Sequence, residues 1–405
     1  MGQPEIEKTS AISLLPVDYE PRLSLEESLG GRARRLWEQT FAEFAQLAGD
    51  AAIVPTGIGE APEDNTGVKI WKYGDGAQVP SCLDLKRVLG HVPKLLFLTA
   101  STFTTEHVAG LRGVVEEYKE QGVEKVIVLL TALAHERQDH KFTAPDGSII
   151  PQVTMVKVII DMLADSQIDG GILVQPHSLR PVEFALQRGF PLLPIDAFKF
   201  MVERAELKKV ENPFVLGPDK GRNDEARMLA AYLHCPLGSA EKIRDRLNDG
   251  KPDVQIPDEI LAYIRDHAAN VIVFDDEIRE GGTTGDIADK LEGYANSLTV
   301  CAVKPIFAQK TDANGNGRGE KPITAIDHLN KPIITNIIVT DAVHPLTDAS
   351  PLGEKLTVLR LGPELVVLAR YLGHHLVEPD NPNWLRDPKE TGTLLRLDLS
   401  IEQVD

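Results

Sequence analysis

Short runs of aliphatic and β-branched residues alternate along this chain with stretches whose apolar residues recur at helical spacing. In the first half, this pattern predicts strands at 94–99, 125–130 and 171–175 and a short strand ending at Asp196, with helices at 106–121 and 154–163. Strands that alternate with helices are typical of parallel βαβ units. The first half of the chain is therefore expected to form an α/β domain.

The same alternation restarts after Asp196. It predicts strands at 213–217, 270–274, 297–303 and 333–340 and helices at 224–233, 257–266 and 285–295. A chain of 405 residues is also too long for one ordinary core. We predict four parts: an extension with an amphipathic helix near 33–47, two α/β domains, and a tail, at 1–60, 61–195, 196–373 and 374–405.

Composition excludes several classes of protein. The net charge of −18 argues against a surface that binds a nucleic-acid backbone. Cys82, Cys235 and Cys301 are odd in number and far apart, so neither a disulfide framework nor a zinc site is indicated. The chain has no apolar run of about 18 residues and no secretory signal, which predicts a cytoplasmic protein without a membrane partner.

One acidic and glycine-rich segment, 271–284, combines features that suit a phosphorylated sugar. A predicted strand leads into Asp275 and Asp276 and then into a Gly281-Gly282-Thr283 turn that opens a helix. Glycines and a helix N-terminus can direct backbone N–H groups at an anion, while carboxylates can bind hydroxyls or hydrated magnesium. The alternative interpretation is a strand followed by an acidic helix cap, which needs no ligand.

This segment resembles the ribose-phosphate binding loop of type I phosphoribosyltransferases, and other motifs point to one branch of that group. The run Arg137-Gln138-Asp139, with Lys141 after it, is similar to the mobile ATP-binding loop of the ribose-phosphate pyrophosphokinases, also called phosphoribosyl pyrophosphate synthetases. His177 lies where that family has a strand-end histidine that helps to hold the magnesium of MgATP, although the family's nearby Asp is Gln175 here.

Two further motifs of the same family follow in the family's order. Asp219, in Gly217-Pro-Asp-Lys-Gly221, resembles a second metal-associated aspartate, and Lys242 and Arg244 resemble a Lys-x-Arg pair that stabilises the transferring phosphates. Taken singly, His177 could be a core histidine, Asp219 a turn former, and the basic pair part of a solvated helix face. Their order over roughly residues 70–375 favours the functional interpretation.

The resemblance implies two tandem type I phosphoribosyltransferase-like domains, each with a mostly parallel sheet flanked by helices. It also implies a magnesium-dependent homo-oligomer that transfers the β,γ-pyrophosphoryl group of ATP to the anomeric hydroxyl of ribose 5-phosphate, giving phosphoribosyl pyrophosphate and AMP. Asp275 and Asp276 would then orient the ribose hydroxyls, and the Gly281–Thr283 turn would bind the 5-phosphate. Lys242 and Arg244 would meet charge on the transferring group.

The sequence departs from the family at two places. Arg279 and Glu280 replace an acidic and a small hydroxyl residue, and a carboxylate about 4 Å from a phosphate dianion costs on the order of several kcal/mol at an effective dielectric near 20. A different ribosyl acceptor, such as ADP-ribose, and a non-catalytic regulatory relative therefore stay as alternatives. Tyr73 and Asp75 resemble the adenine-binding segment, but Ala77 replaces a Glu, a loss similar to that in plant-type members.

Overall fold

A computed structural model of the protein divides into two compact units. The first unit takes its described residues from Pro21–Lys199, Ala342–His344 and Arg360–Asp405, and the second takes them from Phe200–Asp341 and Pro345–Leu359. The structure describes residues 51–55, 70–72, 78–80, 82–141, 148–149, 152–218, 223–244, 252–309, 324–361 and 395–396.

The first unit contains a parallel sheet of six strands in the order β1-β4-β5-β6-β7-β16. These strands are β1 (Ala51–Pro55), β4 (Leu95–Ser101), β5 (Lys125–Ala132), β6 (Gly170–Val174), β7 (Leu192–Asp196) and β16 (Leu395–Arg396). A separate antiparallel hairpin joins β2 (Ile70–Lys72) to β3 (Gln78–Pro80). From β1 to β7, the chain adds each strand of the sheet on the same side as the one before.

Helices connect these strands, and their ends have local causes. The side chain of Thr104 accepts a hydrogen bond from the backbone N–H of His107, which caps the long helix after β4. That helix buries Leu111 and Val115 against the apolar side chains of the sheet, whose strands are almost continuously hydrophobic as expected for a covered parallel sheet. The helices are α1 (Leu85–Leu89), α2 (Thr105–Glu120), α3 (Met155–Ala164), α4 (Arg180–Gln187) and α5 (Phe198–Arg204).

The second unit contains another parallel sheet, in the order β15-β14-β13-β12-β8-β9. Its strands are β8 (Pro213–Gly217), β9 (Leu237–Ser239), β12 (Asn270–Ile278), β13 (Ser297–Pro305), β14 (Ile334–Thr340) and β15 (Leu356–Leu359). An antiparallel hairpin joins β10 (Glu241–Arg244) to β11 (Pro252–Gln255). The helices are α6 (Asn223–Leu233), α7 (Asp258–Asp266), α8 (Gly282–Leu291) and α9 (Ala325–Leu329).

The strand order of the second sheet reverses beside β8. The chain first places β9 on one side of β8, then places β12 on the other side and continues outward to β15. In open α/β sheets, ligands bind outside the carboxyl ends of the strands at such a reversal. The carboxyl ends of β8 and β12 are therefore the position that the topology favours for a ligand.

The structure changes two predicted elements at this position. The strand predicted at 270–274 continues to Ile278, because β13 supplies register partners for the additional residues, with Asp275 opposite Ala302 and Glu277 opposite Lys304. The helix predicted at 285–295 is Gly282–Leu291, and the left-handed Gly293 follows its end. The carboxylates thus belong to the strand end and not to a loop after Phe274.

At the N-terminal side of the first unit, β1 lies in the segment that we predicted as an extension, and the amphipathic helix predicted near 33–47 lies outside the described residues. None of the helices in the described part of the chain is long and apolar enough to cross a membrane.

Candidate functional site

The first unit brings together two loops that follow adjacent parallel strands. Residues 133–141 follow β5 and contain the predicted ATP-binding residues, and residues 175–179 follow β6 and contain the predicted metal-associated His177. The carboxyl ends of adjacent parallel strands lie at the same edge of the sheet. The two predicted motifs are therefore neighbours in the fold although about 40 residues separate them in sequence.

Glu136 joins these two loops directly. The backbone N–H of His177 donates to Oε1 of Glu136 at 2.5 Å, and Glu136 is only 6% exposed. A buried carboxylate that accepts a backbone N–H fixes the donor segment, because leaving either group without a partner costs free energy. Sequence analysis missed this role of Glu136, since nothing in its own neighbourhood indicates which distant N–H it accepts.

Asp139 makes a second connection between the same loops. Ser178 Oγ donates to Oδ2 of Asp139 at 2.6 Å, and His140 Nδ1 lies 2.5 Å from Oδ1. Burial acts to raise the pKa of the Asp139 carboxyl, but the hydrogen bonds from Ser178 and His140 together outweigh it and hold that pKa below its usual range. Asp139 is buried, whereas Arg137, Gln138 and Lys141 are exposed, so the loop presents its basic side chains outward.

Left-handed backbone occurs at one residue in each of these loops. His135 has a φ of 56° and Gln175 a φ of 42°, and both are non-glycine residues. Gln175 is held in place because its backbone N–H donates to the carbonyl of Ile195 at 2.7 Å and its Oε1 accepts from the N–H of Ala197 at 3.0 Å. Such conformations persist where the surroundings over-determine them, and they cluster at binding sites.

In the second unit, the acidic end of β12 has two faces. Side chains alternate along a strand, so Asp275 and Glu277 continue the face of the core residues Val271 and Val273, and Asp276 lies on the opposite face. Asp276 is 3% exposed, and its backbone N–H donates to Oδ1 of Asp275 at 2.9 Å. The strand end thus presents carboxylates on both faces of the sheet beside β8, where the strand order reverses.

The turn after β12 requires glycine. Gly281 has a φ of 70°, a left-handed conformation that other L-residues rarely adopt, and an added Cβ would lie 3.2 Å from the carbonyl oxygen of Ala325. The N-cap residue of α8 is Gly281, which has no side chain that could accept the N–H groups of the first helical turn. Helix α9 packs closely here, because a Cβ on Gly285 would meet the imidazole of His328 at 2.7 Å.

Arg279 and Lys331 form ion pairs near this turn, whereas Glu280 forms none within the described residues. Nε of Arg279 lies 3.2 Å from Oε1 of Glu277, so Arg279 neutralises that carboxylate and not Glu280. Lys304, the register partner of Glu277, is 1% exposed. Lys331 contacts Asp289 and donates to the carbonyl of Gly285 at 3.0 Å. Glu280 is half-buried, and within the described residues its carboxylate makes no hydrogen bond or ion pair.

Five predicted site residues lie wholly or partly outside the described part of the chain. Tyr73, Asp75 and Asp219 lie outside the described residues. Lys242 and Arg244 lie on β10, opposite Val254 and Pro252 of β11, but their side chains also lie outside what the structure describes. In the described part of the chain, no cluster of three or more His, Cys, Asp or Glu side chains could hold a metal ion by itself.

Two parallel sheets with helices between their strands define an α/β protein, and the second sheet carries acids and a glycine turn at its reversal point. The fold is similar to that of a solved structure, phosphoribosylpyrophosphate synthetase from Mycobacterium smegmatis, which matches with a TM-score of 0.59 and 18% identity, covering 80% of this chain and 98% of that one. The predicted fold class is therefore confirmed.

Curated relatives point to the same family as the motifs. The ribose-phosphate pyrophosphokinase of Saccharolobus solfataricus is 29% identical over 272 residues, which are 66% of this chain and 86% of the relative. That of Methanobrevibacter smithii is 26% identical over 207 residues, 50% of this chain and 66% of the relative. No family model matches the chain. These similarities support the predicted resemblance to ribose-phosphate pyrophosphokinases, and the plant-type character of the adenine-binding segment stays a prediction.

Proposed function

We propose that this protein is a ribose-phosphate diphosphokinase, which transfers the β,γ-pyrophosphoryl group of ATP to the anomeric hydroxyl of ribose 5-phosphate. The observation that carries the proposal is the arrangement of β12 and α8. A strand beside the reversal of strand order ends in Asp275 and Asp276, and it leads through the left-handed Gly281 into a helix without a side-chain cap. The names of the relatives support the same enzyme class.

In this proposal, the second unit binds the acceptor. Carboxylates accept hydrogen bonds from vicinal hydroxyls, so Asp275 and Asp276 orient the ribose ring. The backbone N–H groups of Gly281, Gly282 and Thr283 point at the 5-end of the sugar, where the positive end of the helix dipole favours an anion. The anomeric oxygen is thereby held for attack on the β-phosphorus of ATP.

The proposed nucleotide site belongs to the first unit. Glu136 and Asp139 fix the loop after β5 through their hydrogen bonds to the loop after β6. Arg137, Gln138 and Lys141 are exposed on this fixed loop, where their side chains can reach the phosphates of ATP. Asp139 would act chiefly by holding this loop, because both its oxygens already have partners. Tyr73 and Asp75 are proposed to contact adenine.

The transfer forms a bond between the anomeric oxygen and the β-phosphorus and breaks the bond from that phosphorus to the α-phosphate oxygen. The hydroxyl loses its proton, and AMP leaves with the bonding electrons. Negative charge builds on the transferring group, and we propose that Lys242 and Arg244 stabilise it. Such reactions depend on positioning and charge neutralisation more than on covalent catalysis.

Magnesium fits the donors at the end of β12, because carboxylate oxygens are the ligands that this ion prefers. Asp275, Asp276 and Asp219 could contribute such oxygens, and His177 is proposed to assist on the nucleotide side. The ion would neutralise charge on the phosphates of ATP when it is bound. A homo-oligomer in the cytoplasm completes the proposal.

The direct test is to incubate the purified protein with ATP, magnesium and ribose 5-phosphate and to separate the nucleotides by chromatography. We expect AMP and phosphoribosyl pyrophosphate to form in equal amounts, and only when both substrates are present. Release of ADP in place of AMP, or no product beside an active ribose-phosphate pyrophosphokinase, would contradict the proposal.

A further inference from the structure

The imidazole of His135 makes a hydrogen bond with each of its two nitrogens. Nδ1 lies 3.2 Å from Oε1 of Gln138, and Nε2 lies 3.1 Å from Oγ1 of Thr105. Gln138 belongs to the loop after β5 that carries the proposed ATP-binding residues, whereas Thr105 is the first residue of α2, which follows β4. Because β4 and β5 are adjacent parallel strands, His135 joins the Gln138 side chain to the neighbouring strand connection.

These two hydrogen bonds determine how the Gln138 amide is oriented. The amide oxygen Oε1 can only accept, so Nδ1 of His135 carries the proton, and in the neutral ring Nε2 accepts from the Thr105 hydroxyl. The amide nitrogen of Gln138 donates to no atom of the described residues, and this side chain is exposed. Gln138 thus presents its N–H groups to solvent while His135 occupies its oxygen.

The backbone of His135 is held in a conformation that is unfavourable for a residue with a side chain. Its φ of 56° is left-handed, and a glycine would adopt this conformation without strain. The N–H of Ala134 donates to Oγ1 of Thr102 at 3.2 Å, and the N–H of Gln138 donates to the carbonyl of His135 at 2.8 Å. These bonds hold the residue from both sides, so its ring stays directed at Gln138.

Stability alone does not account for the contact between His135 and Gln138. The hydrogen bond to Gln138 is exposed, whereas the one to Thr105 is partly buried. An exposed hydrogen bond contributes little to folding, because water can replace either partner. The main consequence of the bond from Nδ1 is therefore the orientation of the Gln138 amide.

We propose that His135 is a positioning residue for ATP, which turns the N–H groups of Gln138 toward a phosphate oxygen of the nucleotide. The inference rests on the proposed function. Arg137 precedes Gln138 and Lys141 follows it in the same exposed loop, so the three side chains offer donors and positive charge. A polyphosphate suits such a set, because its oxygens accept hydrogen bonds and carry negative charge. His135 itself does not contact the nucleotide.

Two substitutions at His135 separate the side chain from the backbone. His135→Asn keeps a side-chain N–H close to the position of Nδ1, and asparagine tolerates left-handed backbone better than most residues. His135→Gly tolerates the same backbone but removes both hydrogen bonds. The matched control is His91→Gly, which makes the same change at an exposed histidine before β4, at the opposite edge of the sheet.

We would measure kcat and KM for ATP from AMP release and titrate the magnesium complexes of α,β-methylene-ATP and inorganic tripolyphosphate by calorimetry. His135→Gly should raise KM for ATP and both dissociation constants by about fivefold, because a donor to a charged oxygen is no longer oriented. Its kcat should change by less than about twofold, and His135→Asn should keep every value within about twofold of the wild type. His91→Gly should leave all values unchanged.

A third variant tests whether His135 acts through Gln138. Gln138→Ala should raise KM for ATP by about tenfold, since the donor itself is lost. His135→Gly should then add less than about twofold in that background, because the effects of residues that act as one unit are not additive. An effect of His135→Gly that is equal in both backgrounds would overturn the inference, since loop flexibility would then be the cause.

Two further results would overturn the inference: an asparagine variant as impaired as the glycine variant, or weaker binding of the ATP analogue with unchanged binding of tripolyphosphate. If no protein releases AMP, the proposed function fails, and the titrations decide the inference by themselves. Weaker binding by His135→Gly than by His135→Asn then supports it, and equal or absent binding refutes it.

If circular dichroism shows that His135→Gly does not fold, Gln138→Glu provides the decision. This variant keeps an oxygen for His135 but replaces the N–H groups with a second carboxylate oxygen. It should weaken tripolyphosphate binding at least as much as Gln138→Ala does, and binding as tight as that of the wild type would refute the inference.

Discussion

The two units place acidic residues at equivalent edges of their sheets but bond them differently. At the first edge, Glu136 and Asp139 are buried and accept hydrogen bonds from His177 and Ser178, so they hold two loops together. At the second edge, Glu280 has no such partner among the described residues and directly precedes Gly281, the N-cap residue of α8. We conclude that an acidic residue in a loop after a strand indicates a ligand-binding site only if its carboxylate oxygens do not already accept hydrogen bonds from the protein.

The largest expected effect tests the acidic end of β12. We expect Asp275→Asn to lower kcat/KM for ribose 5-phosphate by about a hundredfold, because the variant loses the charge that orients the acceptor while keeping an oxygen for the N–H of Asp276. The free energy of unfolding should change by less than about 1 kcal/mol, since Asp275 is only half-buried and the side-chain shape is retained. Steady-state kinetics and urea denaturation measure the two quantities.

Asp266→Asn supplies the control, because it removes the same charge from an exposed position on α7 in the same unit. It should leave both kcat/KM and stability unchanged. If Asp275→Asn lost stability and activity in proportion, the acid would be structural, and the contrast between the two strand ends would disappear.

Sequence patterns predicted the strands of both sheets within a few residues where apolar runs were long and bounded by turns. Strands β8 and β5 are examples, because a parallel strand that is covered on both faces has a continuous aliphatic sequence. The short strands β9, β10, β11 and β15 were not predicted, since three or four residues carry too little periodicity.

Site residues followed a similar rule. Asp275, Asp276 and the glycine turn were identified because adjacent residues form the motif, whereas the link from Glu136 to His177 joins residues 41 apart and is set by strand pairing. The extension of β12 through its acids was also missed, because it depends on register partners in β13. Tertiary pairing there overrides the polarity of the local sequence.

The next largest effect is expected in the first unit, where the buried acid Glu136 stabilises the fold by joining two loops. Glu136→Ala should lower the free energy of unfolding by about 2 kcal/mol, because the partly buried N–H of His177 loses its charged, buried acceptor. It should also raise KM for ATP more than it lowers kcat, since the loop that carries Arg137 loses its attachment. Urea denaturation followed by circular dichroism and ATP kinetics provide the measurements.

Glu116→Ala is the matched control in the same unit. Glu116 forms a partly exposed pair with Arg112 four residues earlier on α2, and such pairs contribute about 0.3–0.5 kcal/mol. If the two substitutions lowered the free energy of unfolding equally, the hydrogen bond from His177 to Glu136 would stabilise the protein no more than an exposed ion pair. The two sheet edges would then not differ in the role of their acidic residues.

The smallest effect separates two glycines of the turn in the second unit. Gly281→Ala should cost about 1–2 kcal/mol, because the left-handed conformation penalises a Cβ and this Cβ would lie 3.2 Å from the carbonyl of Ala325. Gly282→Ala should be neutral or slightly stabilising, since its Cβ would meet no atom within 4 Å and alanine favours a helix. Both variants keep every backbone N–H, so weaker acceptor binding in Gly281→Ala alone would trace the anion site to the shape of the turn. Equal stability of the two variants would show that α8 can begin without the left-handed residue, and the glycine turn would then not distinguish the second strand end from the first.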